Sequence, residues 1–140
     1  MTALALAVGG CATLSTPGPR SGGYEDLDPD VVALFLEAQM AQAEPVPEIG
    51  EDTRASRAAA LLQEAIAREP ESAFLRRYLA EAFASQREIT KAIAAGEVAL
   101  RLDPTDARTH YILGLQYLQS SQPEVAEGHF REAARRGLGG

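Results

Sequence analysis

The chain has 140 residues, the usual length of a single domain with a modest hydrophobic core. Its 26 alanines suit closely packed helices, since an alanine side chain lets neighbouring backbones approach. The net charge of −7 argues against binding to nucleic acid, because contact with phosphates needs a clustered basic surface.

Residues 1–10 are apolar and lead into Cys11, the only cysteine of the chain. This run is too short to span a bilayer as a helix and resembles the end of a secretory signal sequence. Val8-Gly9-Gly10-Cys11 resembles a bacterial lipobox, which implies cleavage before Cys11 and lipidation of its thiol. No basic residue precedes the apolar run, so we expect the true start codon to lie upstream. The alternative is an ordinary cysteine in a cytosolic protein.

Residues 11–27 are predicted to form a flexible tether, because residues 12–23 are small and rich in Pro, Gly and Ser. An apolar run, a cysteine and a tether are the layout that a membrane-anchored lipoprotein needs. Ala12 follows the cysteine where inner-membrane lipoproteins of enteric bacteria carry aspartate. The resemblance therefore implies an outer-membrane lipoprotein that faces the periplasm.

Residues 28–68 are predicted to form two helices. Asp28-Pro29-Asp30 is a helix start, and the helix should continue to about Ala43. The expected apolar stripe of this helix consists of Val32, Phe35, Leu36 and Met40. Prolines in residues 44–50 interrupt the helix. A second helix should then run from Asp52 or Thr53 to Arg68. The packing residues of that helix are Ala58, Ala59, Leu62, Ala65 and Ile66.

The acidic residues are concentrated around the first of these helices. Residues 21–53 carry nine acidic and no basic side chains, whereas residues 54–140 carry twelve basic and eleven acidic ones. We interpret residues 21–53 as a solvated acidic segment, with a docking site for a basic partner as the alternative. The sequence leaves open whether this segment covers a binding surface.

A helix pair is predicted over residues 107–136. Leu113, Gly114 and Tyr117 share one face of the first helix, and Gly114 leaves room for a neighbouring helix. Phe130 on the second helix should fill the gap between the two. Three residues mark the ends of these helices: Asp106 caps the first, Pro123 begins the second and Gly137 ends it.

The same spacing recurs earlier in the chain. A step of 34 residues aligns Pro104 with Pro70, Gly114 with Ala80, Tyr117 with Phe83, Ala126 with Ala92, and Ala133 with Ala99. A further step takes Ala92 to Ala58 and Ala99 to Ala65. Phe130 aligns with Gly96, a departure that we expect to weaken the earlier helix.

This pattern resembles the tetratricopeptide repeat (TPR), a helix–turn–helix unit of 34 residues. The resemblance implies an all-α solenoid of about six helices, with two clear repeats in residues 69–140 and a degenerate one in residues 28–68. Residues 28–43 are alternatively a separate capping helix. The residues that carry the signature are Ala80, Phe83, Ala92, Ala99, Pro104, Leu113, Gly114, Tyr117, Ala126, Phe130 and Ala133.

In TPR proteins the first helix of each pair lines a concave groove that binds protein or peptide. The resemblance assigns ten residues to such a groove: Phe74, Arg77, Tyr78, Glu81, Ser85, Arg108, Tyr111, Ile112, Leu115 and Gln119. Alternatively, Tyr78, Tyr111 and Ile112 only pack between repeats. Arg77 and Glu81 stand where chaperone-binding TPRs carry Lys and Asn, so we predict no clamp for a C-terminal carboxylate.

Catalytic chemistry is not expected. His110, His129 and a single cysteine cannot supply a His/Cys metal cluster, and His110 should serve in packing. The sequence contains no phosphate-binding loop and no layout of a nucleophile with its base, so we predict neither a cofactor nor an enzyme.

The predicted function is that of a non-catalytic adaptor in the bacterial cell envelope. Anchored through Cys11, it would assist the assembly of a membrane machine such as a pilus or secretion complex. The alternatives are a soluble cytoplasmic TPR scaffold and a homo-oligomeric structural subunit. A monomer is expected, because the outer face of the last helix is only weakly apolar.

Overall fold

A computed structural model describes residues 22–43 and 51–137 of the chain. The described residues contain six α-helices and no strands, which confirms the predicted all-α architecture. A short 3-10 helix, Tyr24–Asp26, precedes them. The helices are α1 (Pro29–Ala43), α2 (Glu51–Arg68), α3 (Ala73–Ser85), α4 (Ile89–Leu102), α5 (Ala107–Gln119) and α6 (Pro123–Arg135).

Each helix packs against its neighbours in the sequence, and α3 also contacts α5 directly. The chain therefore forms three successive helix pairs, α1/α2, α3/α4 and α5/α6, stacked as a solenoid. The five predicted packing residues of α2 are all buried, with Leu62 and Ala65 completely inaccessible to solvent. They join α1 and α3 in one hydrophobic cluster.

The helix ends follow the sequence signals. The backbone N–H of Asp30 donates to Asp28 Oδ1 over 3.0 Å, and that of Arg108 donates to Asp106 Oδ1 over 3.1 Å. Pro123 is the first residue of α6. Gly137 ends α6 in the left-handed region, with a φ of 102°. The predicted caps and stop signals are confirmed at these positions.

The turns inside the α3/α4 and α5/α6 pairs have the same backbone geometry. Arg87 and Ser121, which are 34 residues apart, are both left-handed, with φ values of 58° and 62°. The N–H of the following residue reaches back five positions in both turns, from Glu88 to the Phe83 carbonyl and from Gln122 to the Tyr117 carbonyl. This is the hydrogen-bond pattern of a Schellman motif with a residue other than glycine at its left-handed position.

The segment before α1 packs more closely than the prediction of a tether over 11–27 suggests. Residues 24–26 form the 3-10 helix, and Leu27 is half-buried against the core cluster. The backbone N–H of Asp28 donates to Glu69 Oε1 over 2.9 Å, which connects the start of α1 to the end of α2. Cys11 and residues 1–21 lie outside the described residues.

The buried face of α1 differs from the predicted stripe. Val31, Phe35, Ala38 and Ala41 are buried, whereas the expected core residues Leu36 and Met40 are exposed. The prediction for Leu36 and Met40 was wrong because α1 is apolar around most of its circumference, so periodicity does not select a face. The small side chains of Ala38 and Ala41 allow the closer approach to α2.

Two glycines set the spacing of α4, α5 and α6. A Cβ on Gly114 would lie 2.6 Å from Phe130 Cε1, which confirms that Gly114 leaves the space that Phe130 fills. A Cβ on Gly96 would lie 2.8 Å from Leu113 Cδ2. The expectation that Gly96 is a weakening departure was therefore incomplete, because its missing side chain makes room for Leu113 of the next repeat.

The outer face of α6 is polar where the equivalent positions of α4 are apolar. Glu127, Glu132 and Arg136 stand 34 residues after the half-buried Ile93, Val98 and Leu102. Glu132 pairs with both Arg135 and Arg136, and Glu127 pairs with Arg131. This face is stable in contact with water and offers little apolar area for packing.

Replacing Gly114 by alanine is expected to destabilise the fold. The new Cβ would overlap the ring of Phe130, and overpacking of this kind costs about 1–3 kcal/mol. Gly128→Ala is the matched control, because a Cβ on Gly128 meets nothing within 4 Å and should stabilise α6 by roughly 0.5–1 kcal/mol. Urea unfolding of both variants measures the difference, and equal stabilities would contradict this account of the α5/α6 contact.

Candidate functional site

The candidate binding surface is the inner face of the solenoid, where α3 and α5 contact each other. Of the ten predicted groove residues, Ser85, Arg108, Tyr111 and Gln119 are exposed. Ile112 is buried and belongs to the core cluster, so its side chain is not available to a ligand. The remaining five are half-buried: Phe74, Arg77, Tyr78, Glu81 and Leu115.

An apolar stripe runs along the accessible side of α5. Tyr111 is 44% exposed and Leu118 is 52% exposed, and the half-buried Leu115 lies between them. These residues stand at i, i+4 and i+7, so they share one face of the helix. The ring of Tyr111 lies 5.8 Å from that of Phe130, which supports it from α6. We call Tyr111, Leu115 and Leu118 the α5 stripe.

Leu118 was not among the predicted groove residues, although its spacing from Tyr111 could have indicated that the two share one face. The 34-residue step takes Leu118 to Ala84, a small residue that draws no attention to the position. The i+7 relation to Tyr111 on one helix was the more useful guide.

The aromatic residues predicted for the first half of the groove pack against one another. The rings of Phe74 and Tyr78 lie 4.9 Å and 4.8 Å from Phe35 of α1 and 4.8 Å from each other. The Arg77 guanidinium lies 4.8 Å from the centroid of the Tyr78 ring, a distance typical of a cation–π contact. Phe74 and Tyr78 therefore contribute to the contact between α1 and α3 as well as to the inner face.

Two ion pairs connect α3 to α5. Arg77 Nε lies 3.1 Å from Asp106 Oδ2, and Arg108 Nε lies 2.7 Å from Glu81 Oε1. The Glu81 carboxylate raises the pKa of Arg108 above its usual value, chiefly through this hydrogen bond. Partly solvated pairs of this kind contribute only about 0–1 kcal/mol each, so their main effect is to orient the side chains.

The ion pair between Arg77 and Asp106 limits the ligand groups that Arg77 can bind. Its side chain is only 15% exposed and lies beside Asp106, which also caps α5. A cation that is already paired with a carboxylate and covered by aromatic rings is poorly placed to receive the terminal carboxylate of a peptide. The absence of a carboxylate clamp stays a prediction.

The two histidines meet between α5 and α6. His110 Nδ1 lies 3.1 Å from His129 Nδ1, and His110 Nε2 lies 3.1 Å from the Pro104 carbonyl oxygen. Because a carbonyl only accepts, His110 Nε2 carries the proton and its Nδ1 is the acceptor. The Nδ1–H of His129 therefore donates to His110. This arrangement agrees with the prediction that His110 serves in packing.

A tyrosine and a glutamate extend this network to α4. The Tyr117 ring stacks on His129 at 5.4 Å, and its hydroxyl donates to Glu97. That hydrogen bond is the main reason that the pKa of Tyr117 rises to about 12.

Within residues 22–43 and 51–137, no group of three or more His, Cys, Asp or Glu side chains is arranged to hold a metal ion. None of the helices in these ranges is both long and apolar enough to cross a membrane.

Comparison with known proteins identifies the architecture. The family model described as tetratricopeptide repeat matches residues 51–107, from the start of α2 to the start of α5. The crystal structure of the Sgt2 TPR domain from Aspergillus fumigatus is similar, with a TM-score of 0.71 and 22% identity over 88% of this chain and 74% of that chain. No curated protein sequence matches the chain.

A mutant form of MamA is also similar, with a TM-score of 0.64 and 21% identity over 81% of this chain and 77% of that chain. At such identities the likeness concerns the fold. The predicted fold is thus confirmed as a TPR-type helical solenoid, an architecture that serves as a scaffold for protein–protein interaction.

Acidification is expected to weaken the α5/α6 contact through His129. Burial, followed by the nearby His110, lowers the pKa of His129, and Glu97 opposes this only in part. The folded protein therefore binds a proton at His129 less readily than the unfolded chain does. Its contribution to stability is complete above the ordinary histidine pKa of 6.5 and is lost as the pH falls below that value.

Thermal unfolding at about pH 7.5 and about pH 5.5 measures this effect. The melting temperature of the wild type should fall more over this interval than that of His129→Gln, which cannot titrate at this position. Identical decreases in the two proteins would show that His129 does not contribute to the acid sensitivity.

Proposed function

We propose that the protein is a non-catalytic adaptor of the bacterial cell envelope that holds a peptide segment of a partner protein on its inner face. An acyl group on Cys11 anchors it in the outer membrane, on the periplasmic side. In that position it assists the assembly of a membrane machine such as a pilus or secretion complex. The observation that carries the binding proposal is the exposed α5 stripe on the inner face of a TPR-type solenoid.

The chemistry of the inner face favours an extended or helical peptide with apolar anchors. Tyr111, Leu115 and Leu118 offer a line of apolar contact at helical spacing. The exposed Arg108 and Gln119 flank that line and can bond to the polar groups of a peptide. Because α5 packs against both α4 and α6, the stripe is already ordered and its ordering cost on binding is small.

Support for the anchor comes from the sequence. The run of residues 2–10 ends at a Gly-Gly-Cys, and a Pro/Gly/Ser-rich segment separates that cysteine from the 3-10 helix at Tyr24. The spacer gives an anchored solenoid reach from the membrane surface. The charged outer face of α6 supports a monomer that offers its inner face to a different protein, because a second copy finds little apolar area there.

Substitution of the α5 stripe is expected to abolish recovery of the partner. Tyr111→Ser/Leu118→Ser removes the two exposed apolar contacts, and the loss of such anchors typically costs 1–2 kcal/mol or more each, roughly a tenfold loss of affinity for each. The measurement is affinity capture from envelope extracts, with quantification of each captured protein. Tyr78 is less suitable for this test, because its ring also packs on Phe35.

Val125→Ser is the matched control for this experiment. Val125 is 43% exposed, close to Tyr111, but it lies on α6 outside the stripe. The control should recover the same partners as the wild type. If the stripe variant, shown to be folded by circular dichroism, also recovers them in equal amounts, the inner face is not the main contact surface.

Anchoring is tested independently by Cys11→Ser. The variant should move from the membrane fraction to the soluble fraction, because a serine cannot carry the thioether-linked lipid. Globomycin should cause accumulation of an uncleaved precursor of the wild type, whereas it should not change the processing of the variant. Unchanged membrane association of Cys11→Ser would reject the lipid anchor and favour the soluble cytoplasmic scaffold.

A further inference from the structure

Helix α1 carries an apolar stripe on the side that faces away from the core. Met40 is 60% exposed, the largest exposed fraction of any large apolar side chain in the described chain, and Leu36 is 52% exposed. Ala33 and Ala43 are exposed beside them. A helix that is apolar around most of its circumference normally has packing partners on both sides. Helix α1 is buried on one side only.

The α1 stripe, defined here as Ala33, Leu36, Met40 and Ala43, is separate from the inner face between α3 and α5. Phe35 points toward α3, where it contacts the rings of Phe74 and Tyr78. At about 100° of rotation per residue, Leu36 lies roughly 100° and Met40 roughly 140° around the helix from Phe35. The stripe therefore points away from α3.

The charge on the segment that carries the stripe is of one sign, and Arg57 of α2 is the cation beside Met40. Residues 22–43 contain no lysine or arginine and have five acidic side chains: Glu25, Asp26, Asp28, Asp30 and Glu37. Asp28 and Asp30 lie at the N-terminal end of the stripe, and Glu37 lies beside Met40. Glu37, Met40 and Ala41 line a shallow hollow together with Arg57 of α2, which gives an apolar side chain a place to enter.

We propose that the α1 stripe is a second docking surface, and that its occupant is a basic amphipathic helix of another protein. Such a helix offers apolar residues at i, i+3, i+4 and i+7, which match a stripe of helical spacing. Its lysine and arginine residues meet the acidic rim around Leu36 and Met40. The attraction between rim and partner raises the association rate and fixes the orientation of the bound helix.

The same charge disfavours two other occupants. A second copy of this chain would bring an identical acidic rim against the first, and like charges in apposition weaken association. An anionic lipid surface attracts basic segments and repels acidic ones, so it is a poor match for α1. A basic helix is the partner whose apolar pattern and charge both complement the stripe.

The test uses the full chain and a defined probe. The probe is a fluorescently labelled synthetic helix of about 18 residues, made of leucine and lysine with the leucines at i, i+3, i+4 and i+7 spacing. Fluorescence anisotropy should show saturable binding, and Leu36→Ser/Met40→Ser should weaken it by about tenfold or more. Asp30→Asn/Glu37→Gln should weaken it less and should reduce its sensitivity to salt.

Three controls make the test decisive. A scrambled peptide of the same composition has the same charge but no apolar face, and it should bind at least about tenfold more weakly. Val125→Ser should bind the probe as the wild type does, and the inner-face variant Tyr111→Ser/Leu118→Ser should lose far less of the binding than Leu36→Ser/Met40→Ser. The last control separates this proposal from the proposed function, because each surface can fail its own test while the other passes.

Four outcomes would overturn the proposal. The first is an absence of binding by the wild type, and the second is equal binding by the wild type and by Leu36→Ser/Met40→Ser. The third is equal binding of the scrambled peptide. The fourth is a dimer of the wild type in light scattering that Leu36→Ser/Met40→Ser dissociates, since a second copy would then be the occupant.

Discussion

The rest of the structure depends on the packing of large side chains against glycines on both sides of α5. Gly96 of α4 and Phe130 of α6 occupy the same position of successive repeats, yet one has no side chain and the other is large. Leu113 enters the space beside Gly96, and Phe130 covers Gly114. Because Leu113 and Gly114 are adjacent, α5 is fixed on both sides by complementary volumes, and protein interiors tolerate little mismatch in volume.

This packing decides which residues of α5 remain accessible. With Leu113 and Gly114 engaged, Tyr111, Leu115 and Leu118 are left on the inner side of the solenoid. The ion pairs Arg77–Asp106 and Glu81–Arg108 connect α3 to the same helix and align it with the preceding repeat. Since α5 is positioned before any ligand arrives, binding energy is not spent on ordering it.

The sequence predicted those features that repeat and missed those that depend on single contacts. Alanines such as Ala92 and Ala126 recur at the 34-residue step, and their burial follows because each repeat packs in the same way. The accessible face of α1 could not be read from periodicity, since apolar residues surround that helix. The His110–His129 contact joins two positions 19 residues apart and has no counterpart in the earlier repeats. The repeat pattern therefore could not predict it.

The two ends of the described solenoid have different surface chemistry. Glu127, Glu132 and Arg136 replace the apolar residues of α4 on the outer face of α6, and this face is stable in water. At the other end, α1 exposes Leu36 and Met40 on a segment whose charged side chains are all acidic. Apolar area exposed to water lowers stability, so a helix that retains it gains by contact with a complementary surface. This asymmetry gives the solenoid a direction: accessible apolar area lies on α1 and on the inner face, whereas α6 supports α5.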